Sequence, residues 1–500
     1  MSAEVKTDGM NRKARLARWI GGVAAPAALS AIVVLFAVQM FGYDAVADGF
    51  SGVCKELLAG STQGRQALYG SCWHGPLFPL FHLPFAWLLP YRWAVAGTAF
   101  CAWFFLFRAI WHALKRFMRP EGGQLVALAP QIVLPVLALA IQPPVLAMVQ
   151  VPLTAGLFLL AAAGVAEWAE SRQVRSVVSA GIACALLLLC GASFFIPVIL
   201  FLVSLPLLTL ADAESRRRIQ AWILLGWLPA IYAFGVWMLM NRLVLGDAWF
   251  FLRSIPPMVH GKRVWLLAGV PLLWLPAYLT TWLQAHSRSR RGSWMVVLLM
   301  AGLVSAALAF LFVVCGWKWP REPLLFCAYA TLPVAICRGP KRALNDGMIY
   351  GVALLAVIAG IAVFPARTAK MIDGARCEPG TAERLCGEIE SYVTEKSPYA
   401  RVFVMGYDGL SLLRTYTGDR LTPNMDLHLF SLRQAYKGQH LFVLVPKPQG
   451  VAATESLFWR YPDIYTKGID RLLFDRDFGE WRLYECVVAP TQEQLDAWRK

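Results

Sequence analysis

Long apolar stretches with almost no charged residues alternate along this sequence with short clusters of lysine and arginine. Only 16% of the 500 residues are charged and 58% are hydrophobic, whereas soluble domains contain about 25% charged residues. A bilayer selects for such runs, because a helix that crosses it has to present apolar side chains to lipid. The alternation therefore predicts a polytopic α-helical membrane protein with about eleven transmembrane helices.

The net charge of +16 would direct attention to nucleic acid in a soluble protein. Here the basic residues lie between apolar runs, as the positive-inside rule requires of cytoplasmic loops. The charge therefore predicts membrane topology, and we expect a lipid bilayer and no nucleic acid as a partner.

The first apolar run, residues 19–41, follows a basic segment and could be a secretory signal peptide. The sequence Ala45-Val46-Ala47 resembles a cleavage site, but the run is longer than the apolar region of a signal peptide. We therefore predict a retained first span, with residues 1–18 as a cytoplasmic N-terminal segment.

A short apolar segment at residues 77–90 decides the topology. It is too short and too interrupted by proline for a confident span, and we interpret it as a juxtamembrane or re-entrant helix at the end of a first outer loop, residues 42–93. With this choice all five later basic clusters face the cytoplasm. The spans after the first are then predicted at residues 94–113, 124–141, 146–168, 176–191, 193–211, 221–240, 264–284, 293–315, 323–337 and 347–365.

An odd number of spans places residues 366–500 outside the cytoplasm, beyond a transmembrane domain of residues 19–365. Short apolar runs predict strands at residues 401–405, 441–445, 471–474 and 481–486, with a helix at residues 409–416. This alternation is typical of a small α/β domain with a partly parallel sheet. The sequence thus predicts a multi-pass protein of the cell inner (plasma) membrane, with a periplasmic or extracellular C-terminal domain.

Two pairs of cysteines lie in polar segments that the topology places outside, where disulfides persist. Cys54 and Cys72 lie in the first loop, and Cys377 and Cys386 lie in the C-terminal domain. Each pair is a candidate disulfide, with free thiols as the alternative. Metal binding is a weaker alternative, because neither pair has the spacing of a zinc site. No cofactor is evident in the sequence, which also gives no support for a divalent metal.

Polar residues collect at the outer ends of the predicted spans, in the segments 43–48, 241–253 and 317–322. The predicted membrane interior has few ionisable groups, whereas an ion-coupled carrier usually places them at the bilayer midplane. A carboxylate beside basic residues at a membrane surface suits sugar transfer from a lipid phosphate: the carboxylate deprotonates an acceptor hydroxyl, and the cations stabilise the phosphate that leaves.

These segments resemble the GT-C-type glycosyltransferases, multispan enzymes that use polyprenyl-phosphate sugars on the outer face. Asp44 follows the first span, and the first loop ends in a proline-rich element at residues 75–80. Residues 241–252 are similar to the pattern N-x-x-x-x-G-D-P-x-x-F-L, with Ala248 in place of proline. The first loop also lacks the family's common Asp-Glu pair, and residues 142–144 stand where many members carry a second acidic motif.

The resemblance implies transfer of a sugar from a polyprenyl-phosphate donor to an extracytoplasmic glycan, lipid or protein. Asp44 would be the general base, with Asp48 as its alternate. The remaining candidates are His74 for acid–base or acceptor contact, Arg242, Arg253, Lys318 and Arg321 for the donor phosphate, and Gly246 and Asp247 for the loop motif. Structural roles compete with each assignment: a helix cap for Asp44, lipid headgroup contacts for the arginines, and interfacial anchoring for Lys318 and Arg321.

Two other classes of protein fit the same sequence. One is a transporter or flippase for a lipid-linked or polar solute, which needs a path across the bilayer. The other is a non-catalytic cell-envelope assembly protein that uses its soluble domain to bind a partner.

Overall fold

The structure is a computed structural model and describes residues 20–41, 45–70, 75–117, 149–191, 194–195, 197–199, 201–203, 216–249, 381–424, 440–448, 457–458, 461–467 and 472–486. The chain divides into two compact units. The first is helical in its described parts. The second combines the helices of the first loop with a five-stranded sheet.

The first unit contains long apolar helices. They are α1 (Ala25–Phe41), preceded by the π-helical segment Ile20–Ala24, and residues 96–117 of α5 (Tyr91–Phe117), with α6 (Gln150–Ser171), α7 (Val174–Cys190) and residues 216–236 of α8 (Arg216–Leu245). Helices α6 and α7 form a hairpin. Arg172 closes α6 in a left-handed conformation with φ of 54°, and its guanidinium lies 4.5 Å from the centre of the Trp168 ring.

Glycines let these helices pack backbone to backbone. A Cβ atom on Gly181 of α7 would lie 2.5 Å from the carbonyl oxygen of Gly226 in α8, and one on Gly164 of α6 would lie 2.9 Å from the Cβ of Ala180. Close approach at small residues is how apolar helices associate where water supplies no hydrophobic drive.

Among the described residues, Tyr91–His112 and Gln220–Leu245 are helices long and apolar enough to cross a membrane. The span predicted at 94–113 lies within α5, which continues to Phe117. The span predicted at 221–240 lies within α8. The predicted spans 146–168 and 176–191 correspond to α6 and α7 within a few residues. The spans at 124–141, 264–284, 293–315, 323–337 and 347–365, with most of 193–211, fall outside the described residues, and so the count of about eleven stays a prediction.

The C-terminal domain is built around one mixed sheet. Its elements are α9 (Thr381–Lys396), β1 (Arg401–Met405), α10 (Gly406–Leu412), β2 (Leu421–Asn424), β3 (Leu441–Pro446), β4 (Leu472–Phe478) and β5 (Trp481–Cys486). The strand order is β2-β1-β3-β5-β4. Strand β1 runs parallel to β2 and β3, and β5 runs antiparallel to β3 and β4. The predicted α/β domain with a partly parallel sheet is confirmed.

Both faces of this sheet are covered. Val402, Val404, Phe442 and Leu444 pack with Ile389 and Val393 of α9 on one face. Met405, Val443, Val445 and Tyr484 pack with Leu457 and Ile464 on the other. The middle strand β3 is therefore buried along its whole length, which explains why its sequence is a continuous apolar run and not an alternating one.

The structure corrects several boundaries. The helix predicted at 409–416 is α10, which begins at Gly406 and ends at Leu412, because the chain turns as soon as it leaves β1. The strand predicted at 471–474 is the longer β4, which continues past an irregularity in its pairing between Phe474 and Arg476. Helix α9 and strand β2 were not predicted.

The first loop adds three helices to the second unit: α2 (Ala45–Leu58), α3 (Thr62–Gly70) and α4 (Leu77–Leu88). Helix α4 corresponds to the short proline-interrupted segment, with Pro84 inside it and Phe78, Pro79 and His82 buried. Described residues 237–249 also belong to this unit. The domain limits at residues 18, 365 and 366 stay predictions.

Candidate functional site

Helix α2 carries one of the two candidate bases. It begins at Ala45, so that Asp48 lies in its first turn and Asp44 immediately precedes it in the sequence. Asp44 lies outside the described residues, and for Asp48 the structure gives the helical backbone position alone. The assignment of the base therefore stays a prediction, and what the structure adds is how α2 is held.

One side of α2 packs on α4. The Ser51 hydroxyl and the His82 Nε2 atom share a hydrogen bond of 2.9 Å, and the Cys54 thiol donates to the carbonyl of Pro79 at 3.3 Å. The rings of Phe50 and Phe78 stack 5.9 Å apart. Two polar contacts and one aromatic contact thus join α2 to α4 along about one turn of each helix.

His82 is buried, with 2% of its surface exposed. Burial lowers the pKa of its imidazole from 6.5 to about 4, because the charged form loses its hydration. At neutral pH His82 is therefore uncharged, and the hydrogen bond to Ser51 joins two neutral groups.

A different set of contacts joins α2 to α10 of the C-terminal domain. A Cβ atom on Gly52 would lie 2.3 Å from the carbonyl oxygen of Leu410, so the two helices touch through their backbones. The Lys55 ammonium donates to the carbonyls of Leu413 at 2.8 Å and Tyr416 at 2.5 Å. These carbonyls lie at the end of α10 and in the turn after it, where the helix dipole favours a cation. Burial lowers the pKa of this lysine from its usual value.

The segment that resembles the glycosyltransferase loop motif forms the end of α8. Gly246 has φ of +75° and donates its N–H to the carbonyl of Arg242 at 3.1 Å, and the Arg242 guanidinium donates back to the carbonyl of Gly246. The Asp247 carboxylate accepts the N–H of Trp249 at 3.0 Å. The glycine is needed because its conformation strains other residues, and in this geometry Gly246 and Asp247 build a tight turn.

Asn241, one turn earlier, is fully buried and donates to the carbonyl of Trp237 at 2.9 Å. Arg242 is exposed beside it. The turn thus presents one guanidinium at the surface from a helix end whose backbone is fixed.

The other predicted site residues fall outside the described part of the chain: His74, Arg253, Lys318, Arg321, Cys72 and Cys377. Cys54 and Cys386 are described, and both are buried free thiols. Cys386 directs its sulfur at the carbonyl of Leu412 at 3.8 Å, and burial raises the pKa of Cys54 to about 12 and that of Cys386 to about 11. The structure therefore lends no support to the two disulfides.

Within the described ranges, no group of three or more histidine, cysteine, aspartate or glutamate side chains is placed to hold a metal ion. Ser51, Lys55 and His82 were not singled out from the sequence. A signal was present in part: Asp48, Gly52 and Lys55 follow one another at intervals of four and three residues, which is the spacing of one helix face.

Comparison with known proteins gives weak likenesses. No protein-family model matches the chain, and no curated protein sequence matches it significantly. It is similar to the crystal structure of ArnT from Cupriavidus metallidurans in the apo state, with 13% identity, 96% of this chain and 100% of that chain covered, and a TM-score of 0.49. For ArnT from the same organism bound to undecaprenyl phosphate the identity is 12%, the coverage 95% and 100%, and the TM-score 0.48. Scores and identities this low carry no argument about function.

Proposed function

We propose that this protein is a membrane glycosyltransferase that moves a sugar from a polyprenyl-phosphate donor to an extracytoplasmic glycan, lipid or protein. One observation carries the proposal. The first-loop helices, the turn that ends α8 and the C-terminal domain belong to one compact unit, although long apolar segments separate them in the sequence. The segments expected to share the outer surface are thus collected in one body, which also bears a candidate base and a candidate phosphate-binding arginine.

The reaction requires a base, an attacking hydroxyl and a leaving phosphate. We assign the base to Asp44, with Asp48 as the alternate, and His74 as a second acid–base or acceptor-contact group. The acceptor oxygen forms a bond to the anomeric carbon while its proton passes to the carboxylate. The bond between that carbon and the phosphate oxygen breaks, and the polyprenyl phosphate leaves with the electron pair.

The leaving phosphate gains negative charge as its bond to the sugar breaks, and cations positioned near it lower the barrier. We assign this role to Arg242, Arg253, Lys318 and Arg321. The described geometry of Arg242 supports its part, because the guanidinium is exposed on a helix end held by the Gly246 turn. The C-terminal domain and the first loop would shape the acceptor side, outside the inner membrane.

The test is sugar transfer by the purified full-length protein in lipid nanodiscs, with a panel of polyprenyl-phosphate sugars as donors. We expect Asp44→Asn to lower kcat by a factor of about 100 or more, because the amide cannot accept the proton. Asp419→Asn, which changes an exposed aspartate of the C-terminal domain, is the matched control and should stay within about twofold of wild type.

Full activity in both Asp44→Asn and Asp48→Asn would remove a carboxylate base from the mechanism. Movement of an intact labelled lipid across the bilayer without sugar transfer would establish the transporter. Absence of both activities, with cellular function intact after Asp44→Asn and Arg321→Gln, would favour the assembly protein.

A further inference from the structure

Helix α2 is held on two sides by elements far away in the sequence. Helix α4 binds it through Ser51 and Cys54, and α10 of the C-terminal domain binds it at Gly52 and Lys55. The Lys55 ammonium and the Leu413 carbonyl that it contacts are 358 residues apart in the chain. The C-terminal domain therefore contacts the first-loop helix α2 directly.

The contact residues Gly52 and Lys55 lie on the same face of α2 as the candidate base Asp48. Gly52 follows Asp48 by four residues and Lys55 follows it by seven, and residues at these intervals share one face of an α-helix. A rotation or a shift of α2 against α10 would move these backbone positions together.

The contact at Gly52 is rigid on both sides. A Cβ atom there would lie 2.3 Å from the oxygen and 2.7 Å from the carbon of the Leu410 carbonyl group, and no side-chain rotation relieves a clash with backbone. Helix α10 cannot retreat freely, because a Cβ atom on its Gly409 would itself lie 2.8 Å from the carbonyl oxygen of Val404 in β1. The sheet therefore limits the movement of α10, and α10 limits the movement of α2.

We propose that the C-terminal domain positions Asp48, the candidate base that lies on α2, with Gly52 and Lys55 as the positioning residues. The proposal rests on the proposed function, since it assigns to the domain a role in the same transfer reaction. Both residues contact α10 and its following turn, and so they would act on the reaction through the position of α2. Gly52 sets how closely α2 approaches α10, and Lys55 fixes its rotation by tying one ammonium group to two carbonyls.

The experiment compares Gly52→Ala and Lys55→Met with wild type in the full-length protein, by kcat, by donor KM and by amide hydrogen exchange of peptides from α2. Gly387→Ala is the control for the first variant, because Gly387 lies in α9 of the same domain with nothing within 4 Å of an added Cβ. Lys467→Met is the control for the second, because Lys467 is exposed and pairs with Asp463 one turn away. Lys55→Arg keeps the cation and tests rescue.

We expect kcat to fall by about tenfold or more in Gly52→Ala, since a displacement of about 1 Å at a catalytic group costs up to about a hundredfold in rate. Lys55→Met should lose about three- to tenfold, and Lys55→Arg should recover most of that loss. Donor KM should change by less than about twofold, because the phosphate-binding residues are untouched. Exchange of α2 should rise in Gly52→Ala and Lys55→Met and stay at the wild-type level in both controls.

Wild-type kcat in either variant despite faster exchange of α2 would overturn the proposal, as would unchanged exchange or an equal loss in the controls. If Gly52→Ala fails to fold, Lys55→Met with Lys55→Arg decides the question. Failure of the proposed function can be distinguished from failure of this proposal. In the first case the wild-type protein would show no sugar transfer with any donor, while hydrogen exchange would still report whether the contact with α10 stabilises α2. Faster exchange of α2 in Gly52→Ala and Lys55→Met would in that case support the contact between α10 and α2 but remove its catalytic role.

Discussion

Each of the two units of this protein is stabilised by a different kind of internal contact. In the first unit, α6, α7 and α8 approach through glycines, with backbone against backbone at Gly181 and Gly226. In the second unit, the first-loop helices and the C-terminal domain are joined by polar side chains that reach helix-end carbonyls and a buried imidazole. The first arrangement depends on the absence of side chains, whereas the second combines one such backbone contact, at Gly52, with particular polar side chains.

The difference has a physical basis. Where lipid surrounds a helix, burying apolar side chains against another helix gains little, so close packing at small residues has to supply the stability. Where water surrounds the fold, burial of apolar surface supplies it, and the buried polar groups need partners because an unpaired one costs about 1–3 kcal/mol. The first unit should therefore be sensitive to side-chain size at its helix crossings, and the second both to size at Gly52 and to the loss of its buried polar groups.

The largest effect should come from a bulky residue at the helix crossing. Gly181→Leu places a side chain where the carbonyl oxygen of Gly226 lies 2.5 Å from a Cβ, and we expect the loss of more than about 3 kcal/mol of stability or of the folded protein altogether. Size-exclusion profiles and thermal midpoints in detergent measure this. Gly235→Leu in α8 is the control, because nothing lies within 4 Å of an added Cβ there. Equal behaviour of the two variants would contradict the role of close packing.

An intermediate effect on stability is expected when the pH is lowered, and it should be confined to the second unit. The folded-state pKa of His82 is about 4, below its ordinary 6.5, so between these values the unfolded state binds more protons. Stability should therefore fall as the pH drops from about 6.5 to about 4, by an amount on the order of 3 kcal/mol, and then level off.

Amide exchange of α2 and α4 at pH 7 and pH 4.5 measures this loss. His82→Gln should flatten the pH dependence, because it removes the buried imidazole that takes up the proton. A pH dependence that survives His82→Gln would show that another group titrates.

The smallest effect should come from a charge at the surface of the same unit. Arg384 and Glu388 form an exposed pair one turn apart on α9, with 3.6 Å between their nearest charged atoms. Glu388→Gln should change the free energy of unfolding by less than about 0.5 kcal/mol, because water and salt screen such pairs. A chemical denaturation curve suffices as the measurement. A loss of more than about 1 kcal/mol would remove the distinction between buried and exposed charges in this unit.

The elements that were predicted correctly have strong local patterns. Strands β1, β3 and β5 are short runs rich in apolar and β-branched or aromatic residues, and such runs favour a strand wherever they occur. Strand β2 was missed because it has four residues, one of them Pro423, and proline fits a sheet at its edge. Helix α9 was missed although Ala382, Cys386, Ile389 and Val393 are buried at helical spacing, a pattern that could have revealed it.

The candidate site was predictable to a lesser degree. Gly246 and Asp247 were predicted as part of a loop motif, and the structure describes a tight turn at these residues, while their role in the reaction stays a prediction. The partners of Cys54 and Cys386 were not indicated, because a cysteine in a polar segment can lie buried against a backbone carbonyl once distant helices pack over it.

The sequence by itself determined the apolar helices α5 to α8 and the strands β1, β3 and β5, because these follow from the order of apolar and polar residues over short windows. It also predicted, through the positive-inside rule, which segments share a side of the membrane. Only the tertiary structure decided what holds α2. The contacts of Gly52 and Lys55 join residues more than 300 positions apart, and such contacts depend on how the separately formed elements pack, which no local pattern encodes.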